Sequence, residues 1–493
     1  MSQITIQNLC FTYEGDHTPV FQGLNLQLDT DWKLGLLGRN GRGKTTLLRL
    51  LEGSLEGQGV ISCSEPRCYY PKSVPDPSRT TLQVLKEDVP DREDWQLIRE
   101  LSRLGLGAEV LDRPFSTLSG GEQTRALLAA QFLDCGSWPM LDEPTNHLDA
   151  WGKDQVAGYL QGQSRGFLLV SHDRAFLDRC VDHILALNST GPELIRGNFS
   201  TWFQEKQAKD RRELAQNEKL KGEIKRLQQS AEQTSNWSGQ VEQTKYATKN
   251  SGLRPDRGYI GHKSAKMMKR AKQIEARQEK AAREKETLLK DLERTDPLKL
   301  TPAVHPSRRL LEGRELSVTF DGRTVCSGIS FSICQGDRIY LSGGNGSGKT
   351  SLLRLCVGEE VPHSGNLWRA SGLNISYVPQ NADHLRGNLL KLADVQGINL
   401  TQFLTILRKL DFSRALFERN MEEYSAGQKK KVLLAASLCQ STHLYVWDEP
   451  LNYIDLFSRM QIEELLLDTP VTLLFVEHDR VFRKKIATQV IEL

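Results

Sequence analysis

Two glycine-rich segments have the residue types and spacing that bind phosphate groups. Residues 38–45 and 343–350 both fit the pattern G-x-x-x-x-G-K-[ST]. In such a loop, backbone N–H groups at the start of a helix surround the phosphates, and the glycines allow a close approach. The lysine would contact the β- and γ-phosphates, and the threonine hydroxyl would bind Mg²⁺. The residues with these roles are Lys44, Thr45, Lys349 and Thr350.

A carboxylate pair follows an apolar run behind each glycine loop. The aspartate of each pair would hold Mg²⁺, and the glutamate one residue on is placed to polarise an attacking water. The pairs are Asp142 with Glu143 and Asp448 with Glu449. A histidine after the next apolar run, His172 or His478, would contact the γ-phosphate. Ligand-free turns, capping pairs and structural histidines are the alternatives, and the repetition of all three features in one order disfavours them.

These motifs belong to a sequence that reads twice, at an offset near 306 residues. STLSGGEQ at 116–123 corresponds to EEYSAGQK at 422–429, and LDEPTNHLD at 141–149 corresponds to WDEPLNYID at 447–455. In each copy, short Val, Ile and Leu runs end in glycine loops and pass into helical patterns. This order predicts two α/β domains with parallel strands and crossover helices.

The segment between the copies has a different composition. Over 205–297, Lys, Glu, Gln, Arg and Ala dominate, and apolar or small residues recur at steps of three and four. The stretch 250–262 contains three glycines and Pro255, which interrupt a helix. We therefore predict a hairpin of two long helices, forming a coiled coil. The predicted domains are a first head at 1–204, a linker at 205–300 with a tip loop near 245–262, and a second head at 301–493.

Positive charge is concentrated in this linker. The whole chain carries +3, whereas 205–297 holds 23 Lys+Arg against 15 Asp+Glu, a net of +8. Basic residues with interleaved aromatic groups near the tip indicate a surface for structured RNA, and a solvated face of a coiled coil is the alternative. The candidate RNA contacts are Lys245, Lys249, Arg254, Arg257, Tyr259, His262, Lys263, Lys266, Lys269, Arg270 and Lys272.

Cysteine usage and hydropathy restrict the setting. The nine cysteines show no CxxC pair, no secretory signal precedes the first strand-like run, and no apolar stretch approaches the ~20 residues that span a bilayer. We expect a cytoplasmic protein that does not form a pore by itself.

At this point the motifs resemble a known family. LSGGEQ at 118–123 is similar to the signature of ATP-binding-cassette (ABC) proteins, and DEPTNHLD at 142–149 looks like the form found in the ABC-F branch. The resemblance implies paired ATPase heads joined by a helical linker in a monomer, without a membrane domain. It also implies that the heads close face to face on two ATP molecules, so that each site combines the glycine loop of one head with the signature of the other.

The resemblance extends the set of expected site residues. It places Tyr13 and Phe320 on the adenine ring. The expected ATP-binding residues are Tyr13, Gly38, Asn40, Gly41, Arg42, Gly43, Lys44, Thr45, Thr46, Phe320, Gly343, Asn345, Gly346, Ser347, Gly348, Lys349, Thr350, Ser351 and Gln380. The expected signature residues are Ser119, Gly120, Gly121, Glu122, Ser425, Ala426, Gly427 and Gln428.

Two departures from the family pattern concern one of the two sites. Lys72 stands where the second head has Gln380, and Ala426 replaces a signature glycine. In the face-to-face arrangement both changes fall on the site of Lys44, whereas the site of Lys349 is the more regular one. We therefore expect the two sites to hydrolyse ATP at unequal rates.

Within the branch, the long linker tip, the MMKRAK run at 267–272 and the variant SAGQ and VEHD motifs are similar to the Lsa and Vga type of resistance factor. This resemblance implies a ribosome-binding ATPase that protects the peptidyl-transferase region from lincosamides, pleuromutilins and streptogramin A. A housekeeping translation factor acting on stalled ribosomes is the alternative. The soluble ATPase of a transporter and a DNA-repair or chromosome-structuring ATPase are less compatible with a basic linker between two intact heads.

Overall fold

The computed structural model divides the chain into two compact units. One unit comprises Met1–Trp202 together with Thr295–Leu493, and the other comprises Phe203–Arg294. The described residues are 2–15, 19–134, 136–146, 148–188, 191–243, 269, 273, 277, 298–320, 323–344 and 346–493.

Several predicted features lie outside the described residues. They include the tip loop near 245–262, the second half of the predicted hairpin apart from three single positions, and Asn345. Lys269 is the one candidate RNA contact among the described residues, and it is an exposed helical residue. The other candidate RNA contacts, which lie outside, are Lys245, Lys249, Arg254, Arg257, Tyr259, His262, Lys263, Lys266, Arg270 and Lys272.

The first head alternates strands and helices, as its hydrophobic pattern predicts. Its elements are β1 (Gln3–Phe11), β2 (Phe21–Asp29), β3 (Lys33–Gly38), α1 (Lys44–Glu52), β4 (Gln58–Cys63), β5 (Arg67–Tyr70), α2 (Thr81–Lys86), α3 (Asp94–Arg103), α4 (Gly120–Leu133), β6 (Trp138–Asp142), α5 (Ala150–Gln161), β7 (Phe167–Val170), α6 (Arg174–Cys180), β8 (His183–Asn188) and β9 (Gly191–Arg196).

The second head repeats this order after the linker. Its elements are β10 (Arg309–Phe320), β11 (Arg323–Cys334), β12 (Arg338–Ser342), α8 (Lys349–Val357), β13 (His363–Arg369), β14 (Ile375–Val378), α9 (Leu389–Gln396), α10 (Leu400–Lys409), α11 (Ala426–Cys439), β15 (Leu444–Asp448), α12 (Leu456–Asp468), β16 (Leu473–Val476), α13 (Arg480–Ile486) and β17 (Gln489–Glu492).

The sheets confirm the predicted α/β repeat. The larger sheets run β5-β6-β7-β3-β8-β9 and β14-β15-β16-β12-β17, with parallel pairing except between β8 and β9. Each head adds a three-stranded antiparallel sheet, β2-β1-β4 or β11-β10-β13. The central strands are almost entirely buried, and in each head they share a core with the first helix and with the antiparallel sheet. In this topology the carboxyl ends of β3, β6 and β7 lie at one edge, where ligands bind in open α/β sheets.

The linker begins as one long helix. α7 (Phe199–Gln243) has 45 residues, so it starts six positions before the predicted linker boundary and extends for about 70 Å. The predicted second helix falls on residues outside the described set, apart from three single positions, and the coiled-coil hairpin therefore remains a prediction, as do the domain boundaries. None of the described helices combines the length and the apolar character needed to cross a membrane.

Candidate active site

Both glycine loops join a buried strand to a helix through left-handed glycines. Gly43 has φ 84° and Gly348 has φ 88°, a backbone region that disfavours side chains. A Cβ atom on Gly43 would also lie 2.5 Å from a methyl carbon of Val20. The loops therefore require glycine for both backbone geometry and space, and each delivers its lysine to the first turn of the following helix.

The two loop lysines are held at the loops by backbone carbonyls. Lys44 Nζ donates to Gly38 O at 2.7 Å and lies 3.3 Å from Arg39 O. Lys349 Nζ makes the corresponding bonds in the second head, at 2.9 and 2.7 Å. Burial lowers the pKa of Lys44 and of Lys349. An anionic phosphate is a favourable partner for a buried cation of this kind.

The residues expected to hold Mg²⁺ are adjacent at each site. Thr45 Oγ1 donates to Asp142 Oδ2 at 2.8 Å. Asp448 is 1% exposed, and neither of its carboxylate oxygens accepts a directed hydrogen bond from a described residue. Burial raises the pKa of Asp448, and the nearby Thr350 hydroxyl only partly opposes this shift. Such an orphaned carboxylate fits a hard cation. No cluster of three or more His, Cys, Asp or Glu among the described residues could hold a metal alone, and Mg²⁺ commonly takes one carboxylate together with substrate phosphates.

The two candidate catalytic glutamates share an uncommon backbone conformation. Glu143 has φ 53° and Glu449 has φ 46°. Each backbone N–H is fixed by the neighbouring strand, to Val170 O at 2.9 Å in the first head and to Val476 O at 3.0 Å in the second. Left-handed non-glycine residues cost energy and occur preferentially at functional sites. The strand ends therefore hold both carboxylates in a defined position beside the glycine loops.

The environment of Glu449 keeps this carboxylate ionised. His478 Nε2 lies 3.2 Å from Glu449 Oε1, and Asn452 Nδ2 donates to Oε2 at 2.6 Å. Burial opposes ionisation, but the hydrogen bonds from His478, Gln380 and Asn452 overcome it and lower the pKa of Glu449 to about 2. An ionised carboxylate at this position can accept a proton from an attacking water.

The Glu143 side chain is 19% exposed, against 11% for Glu449, and its Oε2 accepts from His172 N at 3.4 Å, whereas Oε1 has no directed donor among the described residues. His172 Nε2 is 3.3 Å from Glu143 Oε1, without the angle of a directed hydrogen bond. Burial and the neighbouring Asp142 raise the pKa of Glu143 to about 8. Burial also holds the pKa of His172 well below its usual range. The first head therefore contains the same candidate catalytic residues in a setting that favours a protonated carboxyl group.

Part of the difference in pKa between the two glutamates comes from the residue after the proline that follows β5 or β14. This residue is Lys72 after Pro71 and Gln380 after Pro379. The Gln380 side chain forms a hydrogen bond with the Glu449 carboxylate, which lowers the pKa of Glu449. Lys72, which occupies the matching position in the first head, forms an ion pair with Asp88. The Lys72 ammonium is thereby engaged with a carboxylate other than Glu143.

Both signature segments are helix-start capping boxes. Ser119 Oγ accepts from Glu122 N at 3.3 Å, and the Glu122 carboxylate accepts from Ser119 N at 2.7 Å. Ser425 and Gln428 make the equivalent pair at 3.3 and 2.9 Å. The S-x-x-E/Q spacing, which predicts such a box, thus orients the N-terminus of α4 or α11.

The variant Ala426 does not disturb its capping box, because the adjacent Gly427 is the residue under steric constraint. A Cβ atom at Gly427 would lie 2.7 Å from Tyr453 O. Ala426 precedes it as the first residue of α11. The second signature therefore retains glycine where the backbone of the Tyr453 loop, in the same head, comes close.

The first glycine loop and the second signature line connected cavities. A cavity of about 310 Å³ contains Tyr13, Lys44 and Asp142. A neighbouring cavity of about 400 Å³ joins Asn40 and Gly41 of the loop to the second head. The second-head residues at this cavity include Ser425, Gly427, Gln428, Asp411, Lys431 and Tyr453. This is the face-to-face combination that the resemblance implies for the first site.

At the second site, a different part of the opposite head lines the cavity. A cavity of about 880 Å³ contains Lys349, Gln380 and Glu449, together with Asn146 and Leu148 of the first head. The first signature, Ser119 to Glu122, is absent from the residues that line this cavity, although it is part of the described chain. The second signature thus lines a cavity with the first glycine loop, whereas the first signature does not line the cavity that contains Lys349.

The other predicted site residues fall around these cavities. Tyr13 OH is 2.8 Å from Thr46 Oγ1 at the first loop. Phe320 ends β10, and its side chain lies outside the described set. Gly346, Gly348, Thr350 and Ser351, at the second loop and the start of α8, line the larger cavity, and so does His478, which follows β16. Gly343 and Ser347 are in contact, because a Cβ on Gly343 would lie 2.5 Å from Ser347 Oγ.

Some residues at the sites have no counterpart in the sequence prediction. Tyr69 OH donates to Asp142 Oδ2 at 3.1 Å. Lys430, 2% exposed, donates to Pro379 O and Asp448 O at 2.8 and 3.2 Å, and burial lowers its pKa to about 8. Glu477 accepts from Leu451 N at 2.8 Å. The variant VEHD motif was a signal for Glu477. Lys430 is the middle residue of the run Lys429–Lys431, and nothing in that run indicates that it is buried beside Asp448.

Several known proteins are similar to this chain along nearly its full length. It is 28% identical to the ribosome protection protein VmlR of Bacillus subtilis, over 98% of this chain and 85% of that protein. It is 25% identical to the energy-dependent translational throttle protein EttA of Haemophilus influenzae, over 96% and 89%. A crystal structure of archaeal ribosomal stalk protein aP1 with archaeal ribosome recycling factor aABCE1 matches at a TM-score of 0.64 and 19% identity, covering 98% of this chain and 87% of that chain. At this identity the structural match shows the fold alone.

A sequence profile of the family described as ABC transporter matches residues 21–146 and 326–452. These stretches contain both glycine loops, both signatures and both carboxylate pairs. The ATP-binding protein Uup of Caulobacter vibrioides, 29% identical over 96% of this chain and 75% of that protein, has the same similarity along both heads. The chain therefore belongs to the ABC transporter family, as an ATP-hydrolysing member of its ABC-F branch with two cassettes.

Proposed function

We propose that the chain is a cytoplasmic, monomeric, ribosome-binding ATPase that protects ribosomes from antibiotics of the peptidyl-transferase centre. The proposed drug classes are lincosamides, pleuromutilins and streptogramin A. The observation that carries the proposal is the combination of two cassettes with α7, a helix of 45 residues that leaves the first head, in a chain similar to a ribosome protection protein over 98% of its length.

ATP would bind in the cavities between the heads and hold them closed. Lys44 and Lys349 would contact its phosphates. Mg²⁺, when bound by the loop threonines with Asp142 and Asp448, would offset phosphate charge. Glu449, whose pKa is held at about 2, is the stronger candidate for the general base, because it is ionised at neutral pH. Hydrolysis would release the heads, and with them the ribosome.

The linker would supply the ribosome contact. Its net charge of +8 suits phosphate groups of rRNA or tRNA, and its aromatic residues suit base stacking. In this proposal, residues 249–260 perturb the drug pocket, whereas the basic residues from 263–272 hold phosphates.

Growth of a susceptible bacterium tests the proposal directly. Cells expressing the intact chain would be compared with cells expressing Glu143→Gln/Glu449→Gln across the three drug classes and an unrelated antibiotic. We expect protection against the three classes, none against the unrelated drug, and loss of protection in the double variant. ATP-dependent ribosome binding without any protection would instead favour a housekeeping translation factor, a role consistent with the similarity to EttA.

The ribosome contact has its own test. Replacing Lys263, Lys266, Lys269 and Lys272 with alanine should weaken ribosome co-sedimentation and reduce its salt dependence, by about one in log–log slope for each lost phosphate contact. The matched control replaces four exposed cations of α7: Lys219, Lys221, Lys225 and Arg226. An unchanged slope in the first variant, or an equal fall in both, would contradict a phosphate contact near the tip.

A further inference from the structure

An ion pair crosses the first nucleotide site from one head to the other. Arg39, the second residue of the first glycine loop, has its Nε atom 3.1 Å from Asp411 Oδ2 of the second head. The arginine side chain is 10% exposed and the aspartate side chain 36%. The Arg39 N–H is not aligned for a directed hydrogen bond, so the contact is an attraction between two charges at short range.

Asp411 lies beside the cavity in which nucleotide would bind at the first site. Asp411 lines the same cavity as Asn40 and Gly41 of the first loop and as Ser425 and Gly427 of the second signature. These are the two walls that enclose the first composite site. A contact between Arg39 and Asp411 therefore opposes separation of the walls on either side of bound nucleotide.

The corresponding positions of the second site cannot make this pair. Gly344 replaces Arg39 in the second glycine loop, and Gly105 replaces Asp411 after the matching helix of the first head. Both Gly105 and Asp411 adopt positive φ, 72° and 62°, just past the ends of α3 and α10. A Cβ on Gly105 would lie 2.6 Å from Trp151 Cη2. The first head thus has neither the charge nor the space for an equivalent of Asp411.

Asp411 also occupies a backbone position that glycine would fill with less strain. Helix ends in the left-handed conformation commonly carry glycine, because a Cβ atom is disfavoured there. The second head nevertheless has an aspartate, and its carboxylate faces the one loop that carries an arginine at the second position. The strain and the ion pair occur together at one site and are both absent from the other, within the described residues.

We propose that Arg39 and Asp411 form a latch across the first composite site, which makes nucleotide exchange there slower than at the second site. The first site then holds the heads together while the second opens and closes during turnover. This inference concerns ATP binding and does not depend on ribosome protection, so it can fail or succeed independently of that proposal.

Nucleotide dissociation from the first site tests the latch. The full chain with Lys349→Ala would be loaded with a fluorescent ADP analogue, and dissociation would be followed by stopped flow in Arg39→Gly, Asp411→Gly and the double variant. We expect each single change to accelerate dissociation about fivefold, and high salt to reduce the difference, as for a partly exposed ion pair. The double variant should be no faster than either single one. Additive effects, or an unchanged rate in Asp411→Gly, would overturn the proposal.

A nucleotide-free measurement separates the latch from a direct effect of Arg39 on phosphate binding. In Arg39→Gly, amide hydrogen exchange over residues 410–417 of the opposite head should rise severalfold relative to wild type. Glu312→Ala is the matched control, since it removes the ion pairs with Arg309 and Arg314 on β10 and should change neither exchange over 410–417 nor ADP dissociation. Unaltered exchange over 410–417 in Arg39→Gly would also overturn the latch.

Discussion

Glu449 of the second head has His478 at 3.2 Å and an amide donor at 2.6 Å, and its pKa is about 2. Glu143 of the first head has His172 at 3.3 Å without directed geometry, and its pKa is about 8. The two strand ends fix the glutamates in nearly the same backbone conformation. The surrounding side chains therefore cause the difference in pKa between the two glutamates. Glu449 is ionised near neutral pH and can accept a proton, whereas Glu143 is largely protonated.

The two sites also differ in how they are enclosed. The first has a signature wall and the cross-head pair of Arg39 with Asp411. The second has a larger cavity, with Gln380 and the buried Lys430 beside its carboxylates. Under the proposed latch, the first site retains nucleotide and the second site hydrolyses it.

The catalytic glutamates provide the largest test of this division. Glu449→Gln should lower the single-turnover rate of ATP hydrolysis at the second site by about 1,000-fold, the middle of the range for loss of a general base. Glu143→Gln should lower the single-turnover rate at the first site by about tenfold or less, because the Glu143 carboxyl group is protonated for much of the time near neutral pH. Equal losses in the two variants would remove the functional asymmetry.

A second test concerns the ion pairs that join the heads beside the histidines. Arg174 pairs with Glu463, and both are buried, whereas the matching Arg480 pairs with Asp154 at an exposed position. Arg174→Ala should lower the free energy of unfolding by about 2 kcal/mol, less than the ~3–5 kcal/mol for a fully uncompensated buried charge, because Lys485 remains near Glu463. Arg480→Ala should lower it by under about 1 kcal/mol. The measurement is urea unfolding of both variants, and similar midpoints would contradict the contrast in burial.

The sequence was sufficient to predict that a glycine loop, a carboxylate pair and a histidine lie together in each head, because these groups follow parallel strand ends at one edge of an α/β sheet. Their roles in ATP hydrolysis stay predictions. The sequence was not sufficient to predict which side chains surround these groups. Lys72 could be identified as a departure, but its pairing with Asp88 depends on how two distant segments fold together. Arg39 and Asp411 meet only through the contact of the two heads. Burial of Lys430 depends on packing that no local pattern encodes.

Exchanging Gln380 and Lys72 tests what causes the difference in pKa between Glu449 and Glu143. Gln380→Lys removes a hydrogen bond to an ionised group and should slow hydrolysis at the second site about tenfold. The matched change, Lys72→Gln, releases Asp88 and should accelerate the first site about threefold. Single-turnover assays in a Lys44→Ala or Lys349→Ala background distinguish the sites. A second site unaffected by Gln380→Lys would mean that His478 and Asn452 alone keep Glu449 ionised.

The smallest expected effect concerns the variant signature. Ala426→Gly restores the family residue, yet we expect at most about a twofold change in hydrolysis at the first site and a stability loss under about 1 kcal/mol, because glycine is the poorer helix former. Gly427→Ala is the informative contrast, since its Cβ would lie 2.7 Å from Tyr453 O and should slow the first site well beyond twofold. Single-turnover rates and thermal unfolding of both variants provide the measurement. If Ala426→Gly alone raised the first-site rate to that of the second, the signature and not Glu143 would limit this site.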